Sequence, residues 1–250
     1  MKNSIISNSI QDRKQSLLAN IQANQSEEKL IFSRKKNYDE LQKEIDNDTI
    51  FGEIRAAATT SYTASKGVSY AKAHYKDNSS YFMDYDYGGN GNCQNFASQC
   101  VWAGYGGASN LKSNIKNQVK MTSEWYCGPN GGSSAWINVN TFKSYVTKTK
   151  STEPIGHVYN NQKVYTDFAA TGVKSGEILQ LKNGSSGGDN YSHSIYVLST
   201  TASAASDYNK IKIASNTGTY CDVPLKSYMV DYFGGSNCYM RDIAFSRANF

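Results

Sequence analysis

The feature that most constrains this chain is the run Gly91-Asn-Cys-Gln-Asn-Phe-Ala-Ser-Gln-Cys-Val-Trp-Ala-Gly104. A glycine-rich loop breaks there into a segment whose Phe96, Ala97, Cys100 and Val101 form one apolar helical face, so that face must pack inward. Asn92 suits an N-cap and Gly104 a C-terminal stop, which predicts a helix with Cys93 at its first position. A cysteine there meets unpaired backbone N–H groups and the positive end of the helix dipole. Both favour a thiolate, so the pKa of Cys93 is expected to fall. The same N–H groups can stabilise an oxyanion when the sulfur attacks a carbonyl. Cys100, on the inward face, reads as a small core residue.

The rest of the chain divides near residue 50. Residues 1–50 are rich in Lys, Glu, Gln, Asn and Asp and have no Gly or Pro. Leu30, Ile31, Tyr38, Leu41 and Ile45 follow three- and four-residue steps, which predicts a helical N-terminal extension. It reads either as an arm packed against the domain or a partner, or as a prosegment-like cover over a cleft. Residues 51–250 form the expected catalytic domain. A helix is expected over Thr63–Tyr75, and strands over Gly176–Leu181, Ser192–Leu198 and Lys210–Ser215. Helix first and strands after predict an α+β fold. Its 250 residues, 39% hydrophobic and 19% charged, are enough for a substantial core, and no apolar run is long enough to span a bilayer.

The chain has three histidines, at 74, 157 and 193, so the search for a base to serve Cys93 is short. His74 falls inside the predicted first helix and His157 in a turn. His193 stands at the start of an apolar strand behind a Gly-Gly-Asp-Asn loop, where a strand end projects it into a cleft. A hairpin of the last two strands, folded symmetrically about Ala204–Ala205, sets Asn216 opposite His193 on the same face, roughly 5 Å away between Cβ atoms. A side-chain amide there can accept the ring N–H and fix the tautomer, as the third member of a triad does. The alternative is a polar strand-end residue, with Asp222 in reserve as third member.

Charge excludes some functions. A net charge of +5, from 26 basic and 21 acidic residues, is mild and scattered, with no basic stripe, so nucleic acid is not an expected partner. None of the cysteines, at 93, 100, 127, 221 and 238, stands in a CxxC pair, so no metal or other cofactor is expected. Cys127, Cys221 and Cys238 are candidates for a disulfide in an exported protein. Met1–Ile10 lacks the apolar stretch of a signal peptide. The expected location is secreted or cell-wall associated, with a leader already removed, and the cytosol is the alternative.

Several segments resemble one known family in the expected order. They are Tyr70-Ala-Lys-Ala-His-Tyr75, Asn92-Cys-Gln-Asn-Phe-Ala-Ser-Gln-Cys100, Ser134-Ala-Trp-Ile-Asn-Val-Asn-Thr-Phe-Lys-Ser-Tyr145, Gly176-Glu-Ile-Leu-Gln-Leu181, Ser192-His-Ser194 and Ser215-Asn-Thr217. Together they resemble the bacterial putative amidase domain, of the papain-like group near the NlpC/P60 and CHAP peptidoglycan hydrolases. The resemblance covers about residues 60 to 230 and leaves 1–50 outside. It implies a papain-like domain with the nucleophile at a helix N-terminus packed on an antiparallel sheet, Cys93 as nucleophile and His193 as base. This chain has Asn92-Cys93-Gln94 where the family usually has Asp-Cys-Thr, and Asn216-Thr217 where it often has His-Thr. Papain-like enzymes accept His, Asn or Gln at the third position.

The expected activity is hydrolysis of an amide, with a peptide or peptidoglycan of the bacterial wall as substrate. Rival readings are a cysteine protease acting on proteins, a transferase resolving the thioester with an amine, and a binding protein on a degenerate hydrolase scaffold. Tyr87 is a candidate for the oxyanion side. Trp125 and Trp136 are candidates to wall a substrate groove, with core positions as the alternative.

Overall fold

The computed structural model describes residues 59–77, 81–86, 91–148, 154–164, 167–184, 190–233 and 235–250. The expected extension over 1–50 lies outside them, as does Tyr87. Strand β1 (Thr59–Ser61) leads into helices α1 (Ala64–His74), α2 (Cys93–Gly104) and α3 (Leu111–Lys116). A short strand pair, β2 (Cys127–Gly128) and β3 (Gly131–Gly132), precedes α4 (Ser134–Ile137) and α5 (Val139–Val146). Then come β4 (Gly156–Val164), β5 (Ile178–Asn183), β6 (His193–Thr200), β7 (Ile211–Ser215) and β8 (Tyr220–Pro224). Helix α6 (Leu225–Asp231), β9 (Cys238–Phe245) and β10 (Arg247–Asn249) end the chain, with β10 paired to β1. The fold is α+β.

A six-stranded antiparallel sheet, in the order β4-β9-β5-β6-β7-β8, carries a core on each face. Its central strands β5 and β6 are buried on both sides, so they read in sequence as continuous apolar runs. One face holds Ile178, Tyr196 and Ile243 against Phe96, Trp102, Trp136 and Phe142 from the helices. The other holds Leu179, Leu181, Ile195 and Val197 against Leu225 and Met229 of α6. Each such fully buried large side chain contributes about 1.5–3 kcal/mol.

Helix α2 begins and ends where its sequence predicts, but it is buried on every side, not along one stripe. Helix α1 reaches it closely because Gly67 has no side chain: a Cβ there would lie 2.0 Å from the Tyr196 hydroxyl and 2.7 Å from the Cys100 carbonyl oxygen. No helix among the described residues is long and apolar enough to cross a membrane.

The hairpin register differs from the expected one. Tyr196 pairs with Ala214 and Val197 with Ile213, one residue off the symmetric fold. The connection is asymmetric, because Tyr208–Lys210 forms a 3-10 turn and the register shifts between Val197 and Ser199. Continued to the strand end, the observed register sets Asn216 opposite Ser194, on the helix face. Ser215 then shares the face of His193. A slip of one residue exchanges the two faces of a strand.

Candidate active site

Cys93 opens α2 and is buried against Val139 and Tyr191. The backbone N–H groups of Ser194, the residue after His193, and of Gln94 and Cys93 itself act electrostatically on its sulfur. These N–H groups pull the thiol pKa down, but burial is the larger effect and pushes it above the usual thiol value. The expected fall is therefore not found: the helix terminus acts in the predicted direction and desolvation outweighs it.

Two buried polar networks hold this end of α2. Gln94 Oε1 accepts from Ser194 Oγ at 2.6 Å and from Gln180 Nε2 at 3.1 Å, while Gln94 Nε2 donates to Ser98 Oγ at 3.0 Å. Gln180 also donates to the Val139 carbonyl (2.8 Å), and its Oε1 accepts from Arg241 Nε (2.7 Å). Arg241 is fully buried, reaches Asn140 Oδ1 (3.0 Å) and lies 4.0 Å from the Tyr191 ring centroid. In the second network Asn95 Nδ2 donates to Asn92 Oδ1 (2.7 Å) and Trp136 Nε1 to Asn95 Oδ1 (2.9 Å). Asn92 occupies the N-cap position, but its side chain caps no helix N–H. Its Nδ2 donates instead to Asn216 Oδ1 at 2.8 Å. Gly91, at a positive φ of 69°, turns the chain into this position.

His193 begins β6 and points to the opposite face of the sheet. It is buried, with Phe233 stacked 5.4 Å away, and burial lowers its pKa to about 4. Its Nε2 lies 2.6 Å from the Tyr228 hydroxyl and 3.5 Å from Ser215 Oγ. Asn216 does not reach it: Oδ1 takes the Asn92 amide and Nδ2 donates to the Tyr75 carbonyl at 3.0 Å. The structure thus brings Cys93 to the residue beside His193 and ties Asn216 to the loop before Cys93.

The remaining candidates take other places. Trp125 and Trp136 are fully buried, 4.5 Å apart, so they are core residues and not walls of a groove. Asp222 is exposed, at a positive φ of 57°, and pairs with Lys72 at 3.5 Å. His74 packs on Tyr70 (4.4 Å), and His157 is exposed within edge strand β4, not in a turn. All five cysteines are free thiols, and Cys127 and Cys238 sit in separate cores on opposite faces of the sheet. Sequence reasoning missed Tyr228, Ser215, Gln94 and Gln180. A polar Gln180 inside an apolar strand was the one signal available; nothing local marks Tyr228.

Comparison with known proteins places this geometry in a family. The model of the putative amidase domain matches residues 61–240, and the chain belongs to that family. Its description as a putative amidase domain points at most to hydrolytic cleavage of an amide. Searches of the curated proteins and of the solved structures returned no match.

Proposed function

We propose that the chain is a cysteine-dependent amidase of papain-like kinship, acting on a peptide amide of the bacterial cell wall, with Cys93 as nucleophile and His193 as base. The observation that carries this reading is the placement of Cys93 at the first position of α2, where the hydroxyl of Ser194, the residue after His193, donates to Oε1 of Gln94, the residue after Cys93, at 2.6 Å. The wall substrate rests on the resemblance to peptidoglycan hydrolases, and secretion or wall association follows as part of the same proposal.

The chemistry starts from a neutral pair. Burial raises the thiol pKa and lowers that of the imidazole, so at pH 7 both partners are uncharged. This reading requires His193, at the first position of β6, to take the thiol proton as the S–C bond forms on the amide carbonyl. N–H groups at the start of α2 stabilise the resulting oxyanion. The imidazolium gives its proton to the leaving nitrogen as the C–N bond breaks. Water, deprotonated by His193, then hydrolyses the thioester and restores the thiol. Asn216 serves the nucleophile side, by holding Asn92 beside Cys93.

Digestion of purified wall material, counting released amines, tests the assignment. Cys93→Ala is expected to lower release at least about a thousandfold, and equal release by the two proteins would sink it. Because the base must be neutral, kcat/KM is expected to hold through weakly acidic pH and to drop as pH falls through about 4. Alkylation of Cys93 by iodoacetamide in the native protein should rise only above the ordinary thiol range, about pH 8.5. Rapid selective labelling below pH 7 would replace the neutral pair with a resting ion pair.

A further inference from the structure

We propose that Arg241, buried in β9, is the positioning residue of the Cys93 seat: through two amide arms it holds Val139 and Tyr191 against the cysteine, so that the seat admits only a slim acyl group. This rests on the reading of Cys93 as the nucleophile.

The first arm runs along the sheet. Arg241, Gln180 and Ser194 are cross-strand neighbours on β9, β5 and β6. Arg241 Nε donates to Gln180 Oε1 at 2.7 Å, and Gln180 Nε2 donates to the Val139 carbonyl at 2.8 Å. The second arm crosses to α5. Arg241 Nη2 donates to Asn140 Oδ1 at 3.0 Å, and the same oxygen accepts the Tyr191 N–H at 3.1 Å. Asn140 Nδ2 donates in turn to the Tyr191 carbonyl at 3.0 Å. Neither amide can be turned over. Guanidinium and backbone N–H groups only donate and carbonyls only accept, so the partners fix which end of Gln180 and Asn140 faces them. The Tyr191 ring is held as well, with Arg241 Cζ 4.0 Å and Lys182 Nζ 5.3 Å from its centroid.

Both arms end at the same place. Among the described residues, Val139 and Tyr191 are the buried side chains that cluster with Cys93, which is left 7% exposed. An aliphatic side chain and an aromatic ring on a nucleophile that opens so little leave room for a slim, uncharged group at the carbonyl under attack. A branched group would have to push them aside, and a charged one would lose its hydration against them. Side chains held by packing alone could give way. Here a shift of Val139 strains the Gln180 bond to its carbonyl, and a shift of Tyr191 strains both bonds to Asn140. Lysine at 241 could not do the same, because the two arms leave from different nitrogens of one rigid plane.

Labelling of Cys93 in the native full chain at about pH 9, read by peptide mapping, measures the clamp. The two probes are iodoacetamide and its bulky fluorescein-bearing derivative, each referred to its rate on free cysteine. Wild type is expected to favour the small probe at least about tenfold, since a fixed wall penalises even a small displacement. Arg241→Lys, and Asn140→Ala at the half-buried start of α5, should cut that preference at least about threefold. Tyr191→Ala should abolish it. General loss of stability does not imitate this result, because global unfolding would label the buried Cys100 and Cys127 together with Cys93. A wild type without size preference overturns the proposal, as does a preference unchanged in Asn140→Ala and Tyr191→Ala, so the test stands even where Arg241→Lys fails to fold. The two readings fail apart. Full hydrolysis by Cys93→Ala takes away the nucleophile, and the acyl group with it, even where the labelling preference is found. Hydrolysis that depends on Cys93 without that preference overturns this inference alone.

Discussion

The two faces of the central sheet hold buried polar groups of different kinds. On the helix face the groups around Cys93 are mainly amides and hydroxyls, from Asn92, Gln94, Asn95, Gln180, Ser194 and Asn216, together with the Arg241 guanidinium. None of these changes charge near neutral pH. On the α6 face the buried groups are His193 with Tyr228, and the carboxyls of Glu177 and Asp242. These titrate, and burial shifts all four. The seat of Cys93 is thus built from groups whose hydrogen bonding is constant with pH, while His193 stands among groups that respond to it. The tripeptide Ser215-Asn216-Thr217 serves both sides: Ser215 faces His193, Asn216 holds the Asn92 side chain, and Thr217 Oγ1 accepts the Asn92 N–H at 3.2 Å.

The largest expected effect comes from the helix face. Gln180→Leu strips the acceptor from Arg241 Nε and the donor from Gln94 and Val139. It should destabilise the fold by about 3 kcal/mol, equally at pH 5, 7 and 9 in urea melts. A loss below about 1 kcal/mol, or one that varies with pH, breaks the contrast between the faces.

The second effect belongs to the α6 face. Burial and the neighbouring Glu177 hold the Asp242 carboxyl protonated well above the usual carboxylate range. In the unfolded chain it ionises near pH 4, at about 3.9. Its contribution is therefore complete below that pH and is lost as pH rises through the folded-state pKa. Asp242→Asn should flatten this decline and leave the variant more stable than wild type at pH 9 by about 1–2 kcal/mol. Parallel stability curves for the two proteins would show that the buried acid pair does not set the pH response of this face.

The smallest effect tests the shared tripeptide. Asn216→Ala leaves Asn92 Nδ2 and the Tyr75 carbonyl without the partners they have now, at a cost of about 1 kcal/mol. The loss should not depend on pH, and alkylation of Cys93 should change. A loss that varies with pH would return Asn216 to the side of His193.

Much of this was legible in the chain. Helix α2 announced itself through its glycine bounds and apolar spacing, and β5 to β7 through runs of branched residues, because these signals are local. Cys93 and His193 stood out because reactive residue types are scarce. The raised thiol pKa was not legible, since it depends on how completely other segments bury the helix terminus. Strands β4 and β9 lacked an unbroken apolar run; Arg241 and Asp242 interrupt β9, and their burial is tolerable only through partners far away in sequence.

By itself, then, the sequence determined helices α1 and α2, strands β5 to β7, the α+β class and the two candidate reactive residues, because periodicity, capping and residue type act over a few positions. Only the tertiary structure decided which face each residue of the 215–217 segment presents. A one-residue register offset, set by an asymmetric hairpin, gave His193 to a tyrosine on a distant helix and Asn216 to the loop before Cys93. No local signal carries that choice, because register is fixed by the fit of whole strands.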